Sequence, residues 1–238
     1  MEILQTEGRY SRWSNILSCF KVRELLTERL ELKRREKMNK KGLVNWSIWI
    51  GVVSGIYCAI YLLTVGAYTG AKVLPGWQIV YATFTALPIY FTAGAKRSEF
   101  FNYICSYLCG VLWAMGYLWI MDRVAAMGVP AWLNIAVVVA IVCIVECAIH
   151  FTLPSSLPFN VVPAHFGAIS NSFWCSNMTI AIMGPGRTAV GGFYNFKAYP
   201  ILAITLCGGV VLGLCCNEGL NFIDSETGNW KWPGKSSK

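Results

Sequence analysis

Apolar positions along the chain gather into six long runs, and a leader of different character precedes them. The runs cover about Trp46–Val65, Trp77–Gly94, Phe100–Met121, Pro130–Phe151, Phe159 to a point between Trp174 and Met183, and Tyr199–Cys216. Each approaches the roughly 20 helical residues needed to cross a hydrocarbon core about 30 Å thick. The pattern predicts an all-α polytopic membrane protein with about six transmembrane helices. Pro130 suits the first position of the fourth helix. Ahead of the fifth, Leu153-Pro154-Ser155-Ser156-Leu157-Pro158 cannot run as regular helix, which leaves open whether that segment crosses fully or is re-entrant. In the leader, Trp13, Ile16, Leu17 and Phe20, then Leu25, Leu26 and Leu30, recur at helical spacing, and Arg29 to Lys41 is densely charged. This predicts an N-terminal amphipathic helix on the inner membrane face, either a surface anchor or a dock for a soluble partner. The domains are then residues 1–43, a cytoplasmic basic segment; 44–216, the membrane domain; and 217–238, a cytoplasmic tail.

Charge changes the picture in one respect. The net charge is +8, but eleven of the 20 Lys and Arg precede Val44. With the N-terminus inside, the inner side also receives Lys96, Arg97, Lys231, Lys235 and Lys238, and the outer side only Lys72, Arg123, Arg187 and Lys197. That bias follows the positive-inside rule, puts both termini in the cytoplasm, and removes the nucleic-acid reading of a basic chain. Trp46, Trp49, Trp77, Trp119, Trp132 and Tyr199 fall near run ends, as interfacial aromatics do. Most of the ten cysteines, among them Cys58, Cys105, Cys109, Cys143, Cys147, Cys207, Cys215 and Cys216, lie in apolar runs and read as small hydrophobes. No short apolar core with a cleavage site marks a secretory signal.

The two halves share ordered matches. Phe84-Thr85-Ala86-Leu87-Pro88-Ile89-Tyr90-Phe91 aligns with Phe166-Gly167-Ala168-Ile169-Ser170-Asn171-Ser172-Phe173 at Phe, Ala and Phe. Leu108-Cys109-Gly110 matches Leu206-Cys207-Gly208, and Cys58-Ala59-Ile60 matches Cys147-Ala148-Ile149. The unit is three spans, about 44–121 and 130–216. An odd-numbered unit enters the membrane inverted the second time, which is the build of many transporters. Pro88 and Pro163 interrupt the second and fifth runs, although out of register. Small-residue ridges, Ser106-Gly110-Ala114 and Thr205-Gly209-Gly213, allow close packing within the monomer or in a homo-oligomer.

Candidate chemistry lies in three places. His165, Ser172, Ser176 and Thr179 share one stripe of the fifth run, and Tyr81, Thr85, Pro88 and Thr92 make a comparable stripe in the second. Two such stripes either line a polar path or tie helices together. Phe84, Phe91, Phe166 and Phe173, placed alike in both halves, either form paired constrictions or serve as ordinary packing. Glu146 and His150 lie four apart on one helical face and are either proton-relay candidates, as ionisable groups at membrane depth are by default, or a structural pair near the inner interface, since His150 is close to the span end. Cys143 and Cys147 fall on that same stripe, but no span carries a compact four-ligand metal set. No cofactor, and no Ser/His/Asp arrangement for an enzyme, is legible.

Gly110-Val111-Leu112-Trp113-Ala114-Met115, Val162-Pro163-Ala164-His165-Phe166 and the Tyr90-Phe91 pair resemble the YcdZ-like family of small bacterial inner-membrane proteins, whose shared domain has no known function. The resemblance covers about Val44 to Cys216. It implies a membrane fold in the bacterial inner membrane and supplies neither a substrate nor a role for His165. The charged leader and the stretch from about Met178 to Tyr194 depart from the family pattern. The leading expectation is a channel or facilitator for a small neutral or weakly charged solute: ammonia, urea, a short amide or a short carboxylic acid. The alternatives are a proton-coupled secondary transporter using Glu146, His150 and His165, and a non-transporting anchor for a soluble partner held through residues 1–43.

Overall fold

The structure is a computed structural model that describes residues 38–67, 79–154, 157–183 and 198–231, with side chains for all of these except 176–183 and 198. The leader before residue 38 and its expected amphipathic helix lie outside the described residues. The described regular elements are helical: α1 Lys40–Tyr61, continuing as one π turn over Leu62–Gly66; α2 Tyr81–Thr92; α3 Phe100–Ala126; α4 Ala131–Thr152; α5 Val162–Met183; and α6 Ala198–Glu218, followed by a 3-10 turn, Gly219–Phe222.

Among the described residues, four stretches are long and apolar enough to cross a membrane: Lys40–Gly66, Phe100–Ala126, Ala131–Thr152 and Tyr199–Phe222. The twelve residues of α2 extend only about 18 Å as a helix. α5 has 22 residues but carries His165, Ser170, Asn171 and Ser172. The outward faces of the spanning helices remain apolar: Ile48, Val52, Ile56 and Ile60 on α1, and Val137, Ile141, Ile144 and Val145 on α4, are exposed. Apolar faces of that extent match a hydrocarbon surrounding rather than water.

Local chemistry sets the helix ends. Pro130 occupies the N-cap of α4, one position before the expected one, with φ −54° and ψ 139°, and its carbonyl accepts from the N–H groups of Leu133 and Asn134. Leu153 is extended, as the residue before a proline must be, and this stops α4. Pro163 is the second residue of α5, where the missing N–H costs nothing, so it starts that helix rather than breaking it. α3 runs five residues beyond its expected end and stops at Gly128, whose φ of +78° suits a residue without Cβ.

The chain divides into two units. Ile50–Glu218 forms the larger one. Its core is built by α2, α3, α5 and α6 through Ala82, Ala86, Tyr90, Tyr103, Tyr107, Val111, Ala164, Ala168, Leu202, Leu206 and Val210. α4 packs against α3 through Val138 and Val142 on Ala114, Tyr117 and Met121. Both small-residue ridges are spent inside this bundle. A Cβ on Gly110 would stand 2.6 Å from His165 Cα, one on Gly209 would stand 2.6 Å from Ala86 Cβ and from the Thr83 carbonyl oxygen, and one on Gly213 would stand 2.6 Å from the Tyr90 ring.

The smaller unit joins the two ends of the chain, Met1–Trp49 and Gly219–Lys238. A tight antiparallel turn pairs Ile223 with Trp230. Asn39 Nδ2 donates to the Glu226 carbonyl at 2.8 Å, Asn45 Nδ2 to that of Gly228 at 2.8 Å, and Lys41 Nζ to Asn229 Oδ1 at 2.7 Å. Trp49 packs on Phe222, with ring centroids 5.2 Å apart.

Candidate functional site

The buried side of α4 advances in steps of four: Asn134, Val138, Val142, Glu146, His150. That stripe carries Glu146 and His150 inward together. Cys143 and Cys147, expected on the same face, are each one residue further on and so turned about 100° away. They lie half-buried, their sulfurs 4.0 Å apart. Opposite, α5 presents Ala164, His165, Ala168 and Ser172, all with no exposed surface. Gly110 is what allows His165 to arrive: its missing side chain lets the α5 backbone reach α3.

Three helices therefore meet around two imidazoles and a carboxylate. Glu146 and His165 are both 0% exposed, and Glu146 Oε1 lies 3.5 Å from His165 Nδ1. That is ion-pair distance without the alignment of a hydrogen bond. The His150 and His165 rings stand edge to face, centroids 4.1 Å apart. From α3, the Tyr117 hydroxyl donates to Glu146 Oε2 at 3.1 Å, and the Trp113 indole N–H donates to His150 Nε2 at 2.9 Å. An indole nitrogen can only donate, so neutral His150 keeps its own proton on Nδ1. Both ring nitrogens of His165 and Oε1 of Glu146 have no hydrogen-bond partner among the described residues. Glu146 sits about 9 Å along the axis from the end of α4, well within a 30 Å hydrocarbon layer. A charged carboxylate there is costly unless a counter-charge or hydrogen bonds compensate it, and His165 and Tyr117 are placed to do so.

Chemically, this arrangement can hold a proton and pass it over a short distance. A protonated His165 and an ionised Glu146 form a neutral pair, and His150 lies against the same imidazole. The same place also gathers donor atoms of the kind that bind metals. Cys109, His150 and His165 each offer one ligand atom within 4.8 Å of the others, with Cys109 Sγ 3.8 Å from His150 Nε2. These are donor types that zinc or copper accepts. The lone pair of His150 Nε2 is already taken by Trp113, so the third donor is not available and the set does not fit an ion.

A second junction lies where α1, α2 and α6 meet. Gly209 brings α6 onto Thr83 and Ala86 of α2. The hydroxyls of Tyr57 and Thr83 are 3.4 Å apart, and those of Tyr61 and Thr205 are 2.7 Å apart. Thr83 Oγ1 donates to the Thr205 carbonyl at 3.4 Å, and Thr205 Oγ1 to the Ile201 carbonyl at 2.8 Å.

The other expected site residues are placed differently. Ser172 is buried, and its Oγ donates to the Ala168 carbonyl of its own helix at 2.8 Å. The side chains of Ser176 and Thr179 lie outside the described residues. In the α2 stripe of Tyr81, Thr85, Pro88 and Thr92, only Tyr81 packs on the core, from its edge, and Pro88 and Thr92 are exposed; the fully buried side of the helix is Ala82, Thr83, Ala86 and Tyr90. Thr92 is exposed and donates to the Ile89 carbonyl at 3.1 Å, Thr85 is half-buried, and the Tyr81 hydroxyl meets Cys175 Sγ at 3.4 Å. The four phenylalanines are not brought together. Phe84 and Phe166 are exposed, Phe91 packs edge-on against Tyr90, and Phe173 packs edge-on against Tyr117. The sequence reading missed Cys109, Trp113 and Tyr117, although their spacing of four along α3 marks one stripe, and it missed Tyr57 and Tyr61, spaced alike on α1. Comparison with family models, curated proteins and solved structures finds no significant match to this chain, so its function must be read from these junctions.

Proposed function

We propose that the chain is a proton-coupled secondary transporter for a small solute, with Glu146 and His165 as the proton-holding pair and His150 as its neighbour on the relay. The observation that carries this is the pair itself: a carboxylate and an imidazole without exposed surface, 3.5 Å apart, in a bundle with four membrane-capable helices. The groups facing Glu146 are Tyr117 and Cys109 from α3, His150 and Cys147 from α4 and His165 from α5. None is a fixed cation, so the carboxylate's charge must be balanced by a proton or by a protonated histidine. A passive facilitator, the leading expectation from the sequence, has less support, because the hydroxyls of Ser172 and Thr92 are spent on their own helix backbones.

The reading includes six crossings arranged as two inverted three-helix repeats. Matched burial supports it. Ala82, Thr83, Ala86 and Tyr90 of α2 correspond to Ala164, His165, Ala168 and Ser172 of α5, and exposed Phe84, Pro88 and Thr92 to exposed Phe166, Ser170 and Trp174. Cross-packing supports it as well, since α3 meets α5 at Gly110 as α6 meets α2 at Gly209. The Leu-Cys-Gly match of the sequence is thereby displaced by one residue, with Gly209 in the place of Gly110. α2, at twelve residues, is short for a crossing. The bonds of Asn39, Lys41 and Asn45 to the turn at 226–229 hold these two segments together, which supports an even number of crossings between them. Residence in the bacterial inner membrane with cytoplasmic termini rests on the loop charges and the YcdZ-like resemblance. A homo-oligomer and a soluble partner at residues 1–43 are further proposals.

The test is reconstitution in liposomes with an internal pH dye. Ammonia, urea, formamide and acetic acid are offered under an imposed pH gradient, for the parent and for Glu146→Gln. Solute-dependent proton movement lost in the variant supports the reading. Selective solute flux without proton movement returns the facilitator to first place. No flux of any kind favours the anchor, for which co-purification of a partner that depends on residues 1–40 is the positive sign.

A further inference from the structure

The hydroxyl junction of α1, α2 and α6 has no part in holding the proton, yet it occupies the matching place in the other half of the bundle. Tyr57 stands to Thr83 as Glu146 stands to His165, at 3.4 and 3.5 Å. Tyr61, four residues after Tyr57, meets α6, as His150, four residues after Glu146, meets α3. We infer that this junction is a second site on the same path, and that it binds a small neutral solute carrying N–H or O–H donors, such as an amide or an undissociated short carboxylic acid. This rests on the proposed transport reading and adds the place and class of the cargo.

The hydrogen-bond directions argue for that class. Thr205 has one hydroxyl proton and gives it to the Ile201 carbonyl, so Tyr61 must donate to Thr205. Thr83 gives its proton toward the Thr205 carbonyl, so Tyr57 must donate to Thr83. Both phenol oxygens are then left with acceptor lone pairs to spend on a donor from a solute. The two bonds of Thr83 are both 3.4 Å, at the long limit, and exchanging them for bonds to a ligand sacrifices little. Gly208 leaves room for the Tyr57 hydroxyl, where any Cβ would collide with it. None of the four side chains carries a charge near neutrality, so an ion would be desolvated here without compensation and a neutral molecule would not. The competing view is that these hydroxyls only tie helices together.

The experiment uses full-length protein in liposomes, with urea, formamide and acetic acid as the solutes. Tyr57→Phe and Thr205→Val are compared with the parent, and Thr205→Ser serves as the rescue that keeps a hydroxyl. The expected result is a KM raised about tenfold in Tyr57→Phe and Thr205→Val, near-parent KM in Thr205→Ser, and an unchanged midpoint in the pH profile, since Tyr57→Phe loses about one hydrogen bond to the solute and Thr205→Val removes the hydroxyl that holds Tyr61 in place to make another. A role in packing alone would lower the amount of folded protein and leave the KM of the surviving fraction unaltered, which overturns the inference. So would a shifted pH midpoint with unchanged KM. If the variants transport as the parent does while Glu146→Gln loses proton coupling, this inference falls and the transport reading stands. If the parent moves none of the three solutes with protons, both fall.

Discussion

At the junction of α3, α4 and α5, a glycine on α3 admits His165, and Glu146 stands 3.5 Å from it. At the junction of α1, α2 and α6, a glycine on α6 admits Thr83, and Tyr57 stands 3.4 Å from that. The backbone solutions are alike and the chemistry differs. The first place concentrates two imidazoles and a carboxylate with several atoms lacking hydrogen-bond partners; the second holds four hydroxyls that largely satisfy one another. Burying uncharged hydroxyls costs little, because each finds a neighbouring carbonyl or hydroxyl. Burying Glu146 is expensive, so the first junction is suited to a proton and the second to an uncharged group.

The comparison breaks most sharply on charge. Glu146→Ala removes one member of a buried pair and should cost about 3–5 kcal/mol in reversible unfolding in detergent, whereas Tyr57→Phe should cost about 0.6 kcal/mol. Equal losses would mean that the two junctions are structural in the same way. The effect of His165→Ala should be far from additive with that of Glu146→Ala, since each single change leaves its partner buried and unpaired.

Next comes the backbone approach that the junctions share. Gly110→Ala and Gly209→Ala each drive a Cβ to 2.6 Å from atoms of the facing helix and should cost about 1–3 kcal/mol by the same assay. Gly51→Ala on α1, where no atom lies within 4 Å of the new Cβ, should stabilise the helix by about 1 kcal/mol. A marked difference between the first two would argue against matched halves.

Below the glycine clashes comes the effect of Tyr61→Phe, which removes the 2.7 Å bond to Thr205 and should cost about 1 kcal/mol. The least effect is expected outside the bundle. The backbone N–H groups of Glu226 and Thr227 bond to Asp224 Oδ1 and, with Lys231 nearby, hold its carboxyl below the usual range. Its contribution to the turn is present above the unfolded carboxylate value of about 4 and is lost as pH falls through the lower folded value. Asp224→Asn should flatten that acid dependence, read as protease sensitivity of the C-terminal segment, and leave both junctions unchanged.

Much of the helical plan was legible from hydropathy alone, with ends displaced by a few residues. Glu146, His150 and His165 were legible too, because ionisable groups stand out in apolar runs. Their company on α3 was not. Cys109, Trp113 and Tyr117 look like ordinary membrane residues until Gly110 brings α5 against them. The α2 stripe was misjudged for a related reason. Polarity pointed to Tyr81, Thr85 and Thr92, but a short hydroxyl side chain at a helix surface satisfies itself on the preceding turn, so its polarity says little about which way it faces.

By itself the sequence determined that the chain is helical, that it holds apolar runs of membrane-crossing length, and that three ionisable groups lie among apolar neighbours; of the six expected crossings, four are matched by helices long and apolar enough among the described residues. Run length and residue type suffice for that, because a hydrocarbon layer asks only for enough consecutive apolar residues. The tertiary structure decided which faces meet. It turned Cys143 and Cys147 aside, paired Glu146 with His165, placed Trp113 on the His150 lone pair, and set Tyr57 against Thr83. Those outcomes depend on where two backbones approach closely, and in an apolar chain with 22 glycines the few that act as contact points are not marked by composition.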